Sequence, residues 1–157
     1  MPVIERYKVQ LVNGPIADVE RWTVPGCPLL MGGSIVDAAD AEHLRRTHGI
    51  THVLNLETEH TDDWPNLTIC NNQTHDNGEQ KPPEWFRTGI DFVKAASGRV
   101  YLHCQAGGSR TPMMLYVLLR AFGNDPGSAL ALIQTVKPSF GSAPYHVNYI
   151  ASAERSL

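Results

Sequence analysis

Cys104 and Arg110 are the two residues whose types and spacing suggest covalent chemistry, with five residues between them. They lie in Val100-Tyr101-Leu102-His103-Cys104-Gln105-Ala106-Gly107-Gly108-Ser109-Arg110-Thr111-Pro112. Val100 to Leu102 is a short apolar, β-prone run. Gly107-Gly108 gives the backbone freedom for a turn with positive φ. Pro112 suits the first turn of a helix, where a missing N–H costs nothing. Met113, Met114, Leu115, Val117, Leu118 and Leu119 then continue as a nearly all-apolar, buried helix. A strand, a glycine loop and a helix start in this order would point the N–H groups of Gln105, Ala106, Gly107, Gly108, Ser109 and Arg110 into one cup. The cup lies at the positive end of the helix dipole and is an oxyanion or phosphate site. The same N–H groups would favour the reactive thiolate of Cys104 at its base. Arg110 at the lip can fork two donors onto phosphate oxygens. The Thr111 hydroxyl can donate to the sulfur and help it leave. The structural alternative is a buried Cys beside a turn, with Arg110 a surface cation.

His103-Cys104-(five residues)-Arg110-Thr111 resembles the signature of the cysteine-dependent protein tyrosine phosphatases. The filling Ala106-Gly107-x-Ser109-Arg110 is most similar to that of the dual-specificity phosphatases. The resemblance covers about residues 29 to 150. It implies an α/β fold with a central, mostly parallel sheet and helices on both faces. It also implies that His103 orders the loop by hydrogen bonding and tunes the thiol.

The elements that must position this stretch can be read from pattern. Tyr7-Val9-Leu11, Arg21 to Val24 and Leu29 to Met31 read as strands, broken at Asn13-Gly14-Pro15 and Pro25-Gly26. Residues 1–28 are expected to be an arm or extra edge strands, and 29–157 the catalytic core of a single domain. A helix capped by Asp37 or Ser34 is expected to run to His48, with Ala38, Ala41 and Leu44 on one face, and to stop at Gly49. Ile50–Leu56 is a buried strand, and Leu67–Cys70 another. A helix from Pro82 to about Ser97 presents Trp85, Phe86, Ile90, Phe92 and Val93, ahead of the strand Arg99–His103. Asp125-Pro126 starts a helix with Ala129, Leu130, Leu132, Ile133 and Val136, ended at Lys137-Pro138, where the family has an arginine. Pro144 opens a last helix to about Glu154, with Tyr145, Val147, Ile150 and Ala151 expected to pack inward.

A phosphate ester needs its leaving oxygen protonated, and a carboxylic acid on a mobile loop can do this. Thr74-His75-Asp76-Asn77-Gly78-Glu79 is a loop by composition. Asp76 is the candidate general acid, matching the family's place after a strand and before the helix that precedes the signature. The alternative is an ordinary Asx-turn residue. Glu79 and Asp63 are the next candidates. Glu57 to Pro65, with Glu57, Glu59, Asp62 and Asp63, reads as a surface loop or as a loop bordering the pocket. His43, His48 and His52 read as solvated or capping, since Gly49 breaks the spacing a metal site would need. Cys27, in a turn, reads as a packing or exposed thiol. Cys70 reads as a small buried apolar group, although in some relatives a second cysteine protects the nucleophile by a disulfide.

Length and composition narrow the classes. The chain has 157 residues, 42% hydrophobic and 18% charged, as in one globular domain. The formal charge of −3 argues against nucleic acid as a partner. No apolar run approaches the ~20 residues of a membrane span. Residues 1–6 lack a basic region followed by an apolar stretch, so no signal peptide is expected. Three cysteines without a disulfide framework fit a reducing, cytoplasmic setting.

The resemblance implies a protein phosphatase acting on phosphotyrosine, with phosphoserine or phosphothreonine as further substrates. It would work through a cysteinyl-phosphate, without cofactor or metal. Relatives acting on phosphoinositides commonly carry lysines inside the signature, and none stands between Cys104 and Arg110. Other readings are an inositol phosphate or RNA 5′-triphosphate substrate, a non-catalytic phosphoprotein-binding module, and sulfur transfer through a persulfide on Cys104.

Overall fold

Apolar runs of five or six residues, separated by longer amphipathic segments, fold here into an α/β sheet. The computed structural model describes residues 34–105 and 109–157, with residues 135–136 as helix backbone, and the strand backbones of 3–10, 16–24 and 27–32. The elements are β1 (Val3–Gln10), β2 (Ile16–Val24), β3 (Cys27–Gly32), α1 (Ala38–His48), β4 (Ile50–Asn55), β5 (Thr68–Asn71), α2 (Pro83–Ala95), β6 (Arg99–His103), α3 (Arg110–Ala121), α4 (Pro126–Val136) and α5 (Pro144–Ser156). The strands form one sheet in the order β1-β2-β3-β6-β4-β5. The pairs β3–β6, β6–β4 and β4–β5 are parallel, and β1–β2 and β2–β3 antiparallel. The register of β1 with β2 sets Glu5 opposite Arg21, Arg6 opposite Glu20 and Lys8 opposite Asp18.

β6 is central, so its side chains feed both faces. Val100 and Leu102 join the larger core with α2–α5, while Tyr101 joins Ile35, Ala41, Leu44, Ile50 and Val53 on the α1 side. Asp37 caps α1, its side chain accepting from the Asp40 N–H, and Gly49 closes it at φ 68°. Ser34 is not the cap and has another task in the site. Asp125 caps α4 by accepting from the Ser128 N–H. α2 ends at Ala95, two residues before the expected end. Ala38 proves exposed, and Asp40 takes its place on the buried face of α1.

The expected inward face of α5 is corrected. Tyr145 and Val147 are 43% and 58% exposed, and the buried positions are His146, Tyr149, Ser152, Ala153 and Ser156. Polar residues occupy the core-facing positions because they bind a neighbouring loop, which hides the helix's phase from hydropathy. Cys70 pairs in register with Leu54, and Leu54 with Leu102. Two strand spacings therefore put Cys70 roughly 10 Å from Leu102, with Cys104 two residues further along. A disulfide needs Cα atoms within about 7 Å, so Cys70 does not reach Cys104 in this fold. The turn at 13–15, the turn at 25–26, the side chain of Cys27 and the loop residues Ala106, Gly107 and Gly108 lie outside the described residues.

Candidate active site

Cys104 follows the C-terminal end of β6 and is 2% exposed. Arg110 opens α3, whose first bond runs from Met113 N–H to Ser109 O at 3.0 Å. Strand and helix thus hold the two ends of the loop. The Leu56 N–H donates to His103 O at 2.9 Å, and the Ser34 N–H donates to Gln105 O at 3.2 Å, fixing the chain on both sides of Cys104.

Arg110 is buried, and its two terminal nitrogens are already bound. Nη1 and Nη2 fork onto Glu59 Oε2 and Oε1, each at 3.1 Å, and Nη1 also donates to Thr74 O at 3.1 Å. Burial works against the guanidinium charge. The Glu59 hydrogen bond and the charges of Cys104, Glu59 and Asp76 outweigh it and raise Arg110 above its ordinary value. Burial likewise opposes the Glu59 carboxylate, and the Arg110 hydrogen bond helps hold it below the usual range. Arg110 Nε has no partner among the described residues, and neither has the Thr111 hydroxyl. An unsatisfied buried donor is costly, and both are donors of the kind a bound phosphate or a thiolate accepts.

The acidic loop after β4 is not a plain surface loop. Glu57 is 0% exposed and Asp62 2% exposed. The Ser34 hydroxyl lies 2.6 and 2.7 Å from the two oxygens of Glu57. His103 Nε2 lies 2.5 Å from Asp62 Oδ2, and Nδ1 3.2 Å from Cys104 O. Both ring nitrogens of His103 are thus engaged, one at the Cys104 carbonyl and one at Asp62. Asp63 and Glu79, the alternative acids, are exposed.

Asp76 is exposed, and its carboxylate is held. The Tyr149 hydroxyl donates to Asp76 Oδ1 at 2.9 Å and accepts from the Gly78 N–H at 2.9 Å. Burial pushes the Tyr149 phenol up to about 12; the Gly78 N–H opposes the shift and the Asp76 carboxylate adds to it. Lys81 Nζ donates to His75 O (2.6 Å) and Asn77 Oδ1 (2.9 Å). The Lys81 N–H donates to Ser152 Oγ at 3.0 Å, and Asn148 Nδ2 to Gly78 O at 3.1 Å. The loop expected to be mobile is stitched to α5. Gly78, at φ +73°, brings its backbone against Tyr145, and a Cβ there would lie 3.0 Å from Tyr145 Cβ. Sequence reasoning missed Tyr149, Lys81 and Ser34, because each meets its partner only through the fold.

His43, His48 and His52 lie on or beside α1 and β4, with His43 and His48 ring to ring and His52 against Phe92. Among the described residues, no three His, Cys, Asp or Glu side chains cluster as metal ligands would. Among the same residues, no helix is long and apolar enough to cross a membrane.

Comparison with known proteins agrees with this geometry. The dual specificity phosphatase catalytic domain matches residues 34–156. The fold is similar to human DUSP28, at 19% identity and a TM-score of 0.67 over 82% of this chain and 89% of that one. It is similar to DUSP15, at 22% identity and 0.64, over 87% and 91%. It is also similar to PTPMT1 in complex with PI(5)P, at 17% identity and 0.64, over 82% and 91%. At these identities the likeness is one of fold. Against the curated proteins the chain has no match by sequence.

Proposed function

The chain belongs to the dual-specificity phosphatase family, and we propose that it hydrolyses phosphotyrosine in proteins, with phosphoserine and phosphothreonine as further substrates. The observation that carries the reading is Arg110. Its outer nitrogens are locked on Glu59 and Thr74 O, while its buried Nε has no partner among the described residues. A guanidinium fixed this way is already oriented for a phosphoryl group.

The Cys104 thiolate attacks phosphorus; the P–S bond forms as the P–O bond to the substrate breaks. Loop N–H groups and Arg110 stabilise the equatorial oxygens. Asp76 gives its proton to the leaving oxygen. Its carboxylate then takes a proton from water as that water attacks phosphorus; the P–S bond breaks and phosphate leaves. Thr111 can donate to the departing sulfur. No step calls for a metal, and a reducing, cytoplasmic setting suits the thiolate.

PTPMT1, a neighbour in fold, is described with a phosphoinositide. Here Gln105 to Ser109 contain no basic residue, and Glu59 flanks Arg110. Both features favour a monophosphorylated protein over a headgroup with several phosphates.

The test is phosphate release from a phosphotyrosyl peptide and from soluble PI(5)P, with EDTA present, by wild type and Asp76→Asn. We expect the peptide to be the better substrate and Asp76→Asn to lose roughly 10²–10⁴-fold on it. An inert wild type that still binds the peptide would replace this reading with a binding module. Tyr149→Phe removes the donor that seats Asp76. It should lower kcat on the peptide by roughly three- to tenfold with KM unchanged; an unchanged kcat would detach Tyr149 from the acid.

A further inference from the structure

Around His103, next to Cys104 in the chain, lies a buried cluster that the reaction above does not use. We propose that Asp62 is a positioning residue that acts through His103 to set the backbone of the nucleophile's loop. The proposal rests on Cys104 being the reactive thiol.

His103 has an acceptor at each ring nitrogen. The Cys104 carbonyl at Nδ1 can only accept, and so can the Asp62 carboxylate at Nε2. A neutral imidazole has one N–H; satisfying both partners takes two. Asp62 is the counter-charge that lets the ring keep both hydrogens. Among the described residues, the other titratable groups that face this ring are few. Glu57 Oε1 from the end of β4 is 3.6 Å from Nδ1, the Tyr101 ring lies 5.5 Å away, and Cys104 follows directly. Asp40 of α1 lies near Tyr101 on the same side and adds negative charge there.

Asp62 is itself seated. Its N–H donates to Asn71 Oδ1 at 3.0 Å, and Asn71 Nδ2 donates back to Asp62 O at 2.9 Å. Asn55 Nδ2 donates to both Asn71 Oδ1 and His60 O, each at 2.9 Å. Two asparagines at the ends of β4 and β5 thus clamp the loop so that one carboxylate reaches His103. Asp62 Oδ1 is buried without a hydrogen-bond partner among the described residues. A half-satisfied buried carboxylate costs stability, so the packing of the loop alone is a poor reason for it.

The effect on the nucleophile is geometric. In a trans peptide C=O and N–H point opposite ways. Tying the Cys104 carbonyl to His103 turns the Gln105 N–H to the other side, where loop N–H groups must gather to hold an anion. The Gln105 carbonyl is held in turn by the Ser34 N–H. With Asp62 gone, His103 loses its second hydrogen or its orientation, and the first N–H of the cup is no longer fixed.

Alkylation of Cys104 by iodoacetamide, followed from pH 5 to 9 with and without inorganic phosphate, tests this. The proteins are wild type, Asp62→Asn, His103→Gln and the double variant. Asp62→Asn should cut the alkylation rate at pH 6 by about tenfold, converge with wild type at pH 9, and weaken protection by phosphate. The double variant should be no worse than His103→Gln. A wild-type profile in Asp62→Asn, or effects that multiply in the double variant, overturns the proposal. Should Asp62→Asn fail to fold, the ring ¹⁵N signals of wild-type His103 decide: two N–H nitrogens support the proposal and a neutral ring ends it. None of these readouts needs turnover. An inert enzyme with Asp62-dependent alkylation would therefore sink the phosphatase reading and keep this one.

Discussion

Cys104→Ser is expected to abolish hydrolysis of every phosphomonoester while leaving binding of a phosphotyrosyl peptide within a few-fold of wild type. The substitution is nearly isosteric at a site 2% exposed, so the packing around β6 and α3 should stand. What changes is the nucleophile. A serine hydroxyl stays protonated at neutral pH, and His103 beside it is not free to act as a base: both its nitrogens are engaged, at Cys104 O and Asp62. Binding survives because loop N–H groups and Arg110 are untouched. Calorimetry with the peptide beside a turnover assay separates the two effects. Measurable turnover in the variant would place the nucleophile elsewhere.

Arg110→Lys should be nearly as severe although it keeps the charge. Lysine is a single point of charge, whereas the guanidinium here serves Glu59 with two nitrogens and Thr74 O with one of them, and its Nε has no partner among the described residues. An ammonium that satisfies Glu59 has no second, rigidly placed donor for a phosphoryl oxygen. Loss of an arginine that stabilises phosphoryl-transfer charge costs roughly 10³–10⁵ in kcat. kcat/KM should fall by that order, with a raised KM as well. A loss below about tenfold would mean that Arg110 is chiefly the partner of Glu59 and not of phosphate.

What could be read from the sequence was local along the chain. The signals for the strand before Cys104 and the helix after Arg110 lie within thirteen consecutive residues, Val100 to Pro112, and are short-range: an apolar run, two glycines, a proline. The caps of α1 and α4 were legible for the same reason. What escaped were pairs made by the tertiary fold. Glu59 and Arg110 are 51 positions apart, Asp62 and His103 41, and Asp76 and Tyr149 73. The buried face of α5 was misread because its core positions are His146, Tyr149, Ser152 and Ser156, chosen for hydrogen bonds as much as for apolar area. Ser34 looked like a cap because serine usually is one; its hydroxyl goes to Glu57 instead.

The stitching of the Asp76 loop to α5 also sets an order of assembly. Gly78 and Lys81 are anchored by Tyr149, Asn148 and Ser152, residues synthesised after every other part of the site. During synthesis Cys104, Arg110 and the elements that carry them, β6 and α3, come together before Asp76 has anything to lean on. On the proposed mechanism, a nascent chain would pass through a stage at which Arg110 can meet phosphate while Asp76 is still unseated, and competence would arrive with α5.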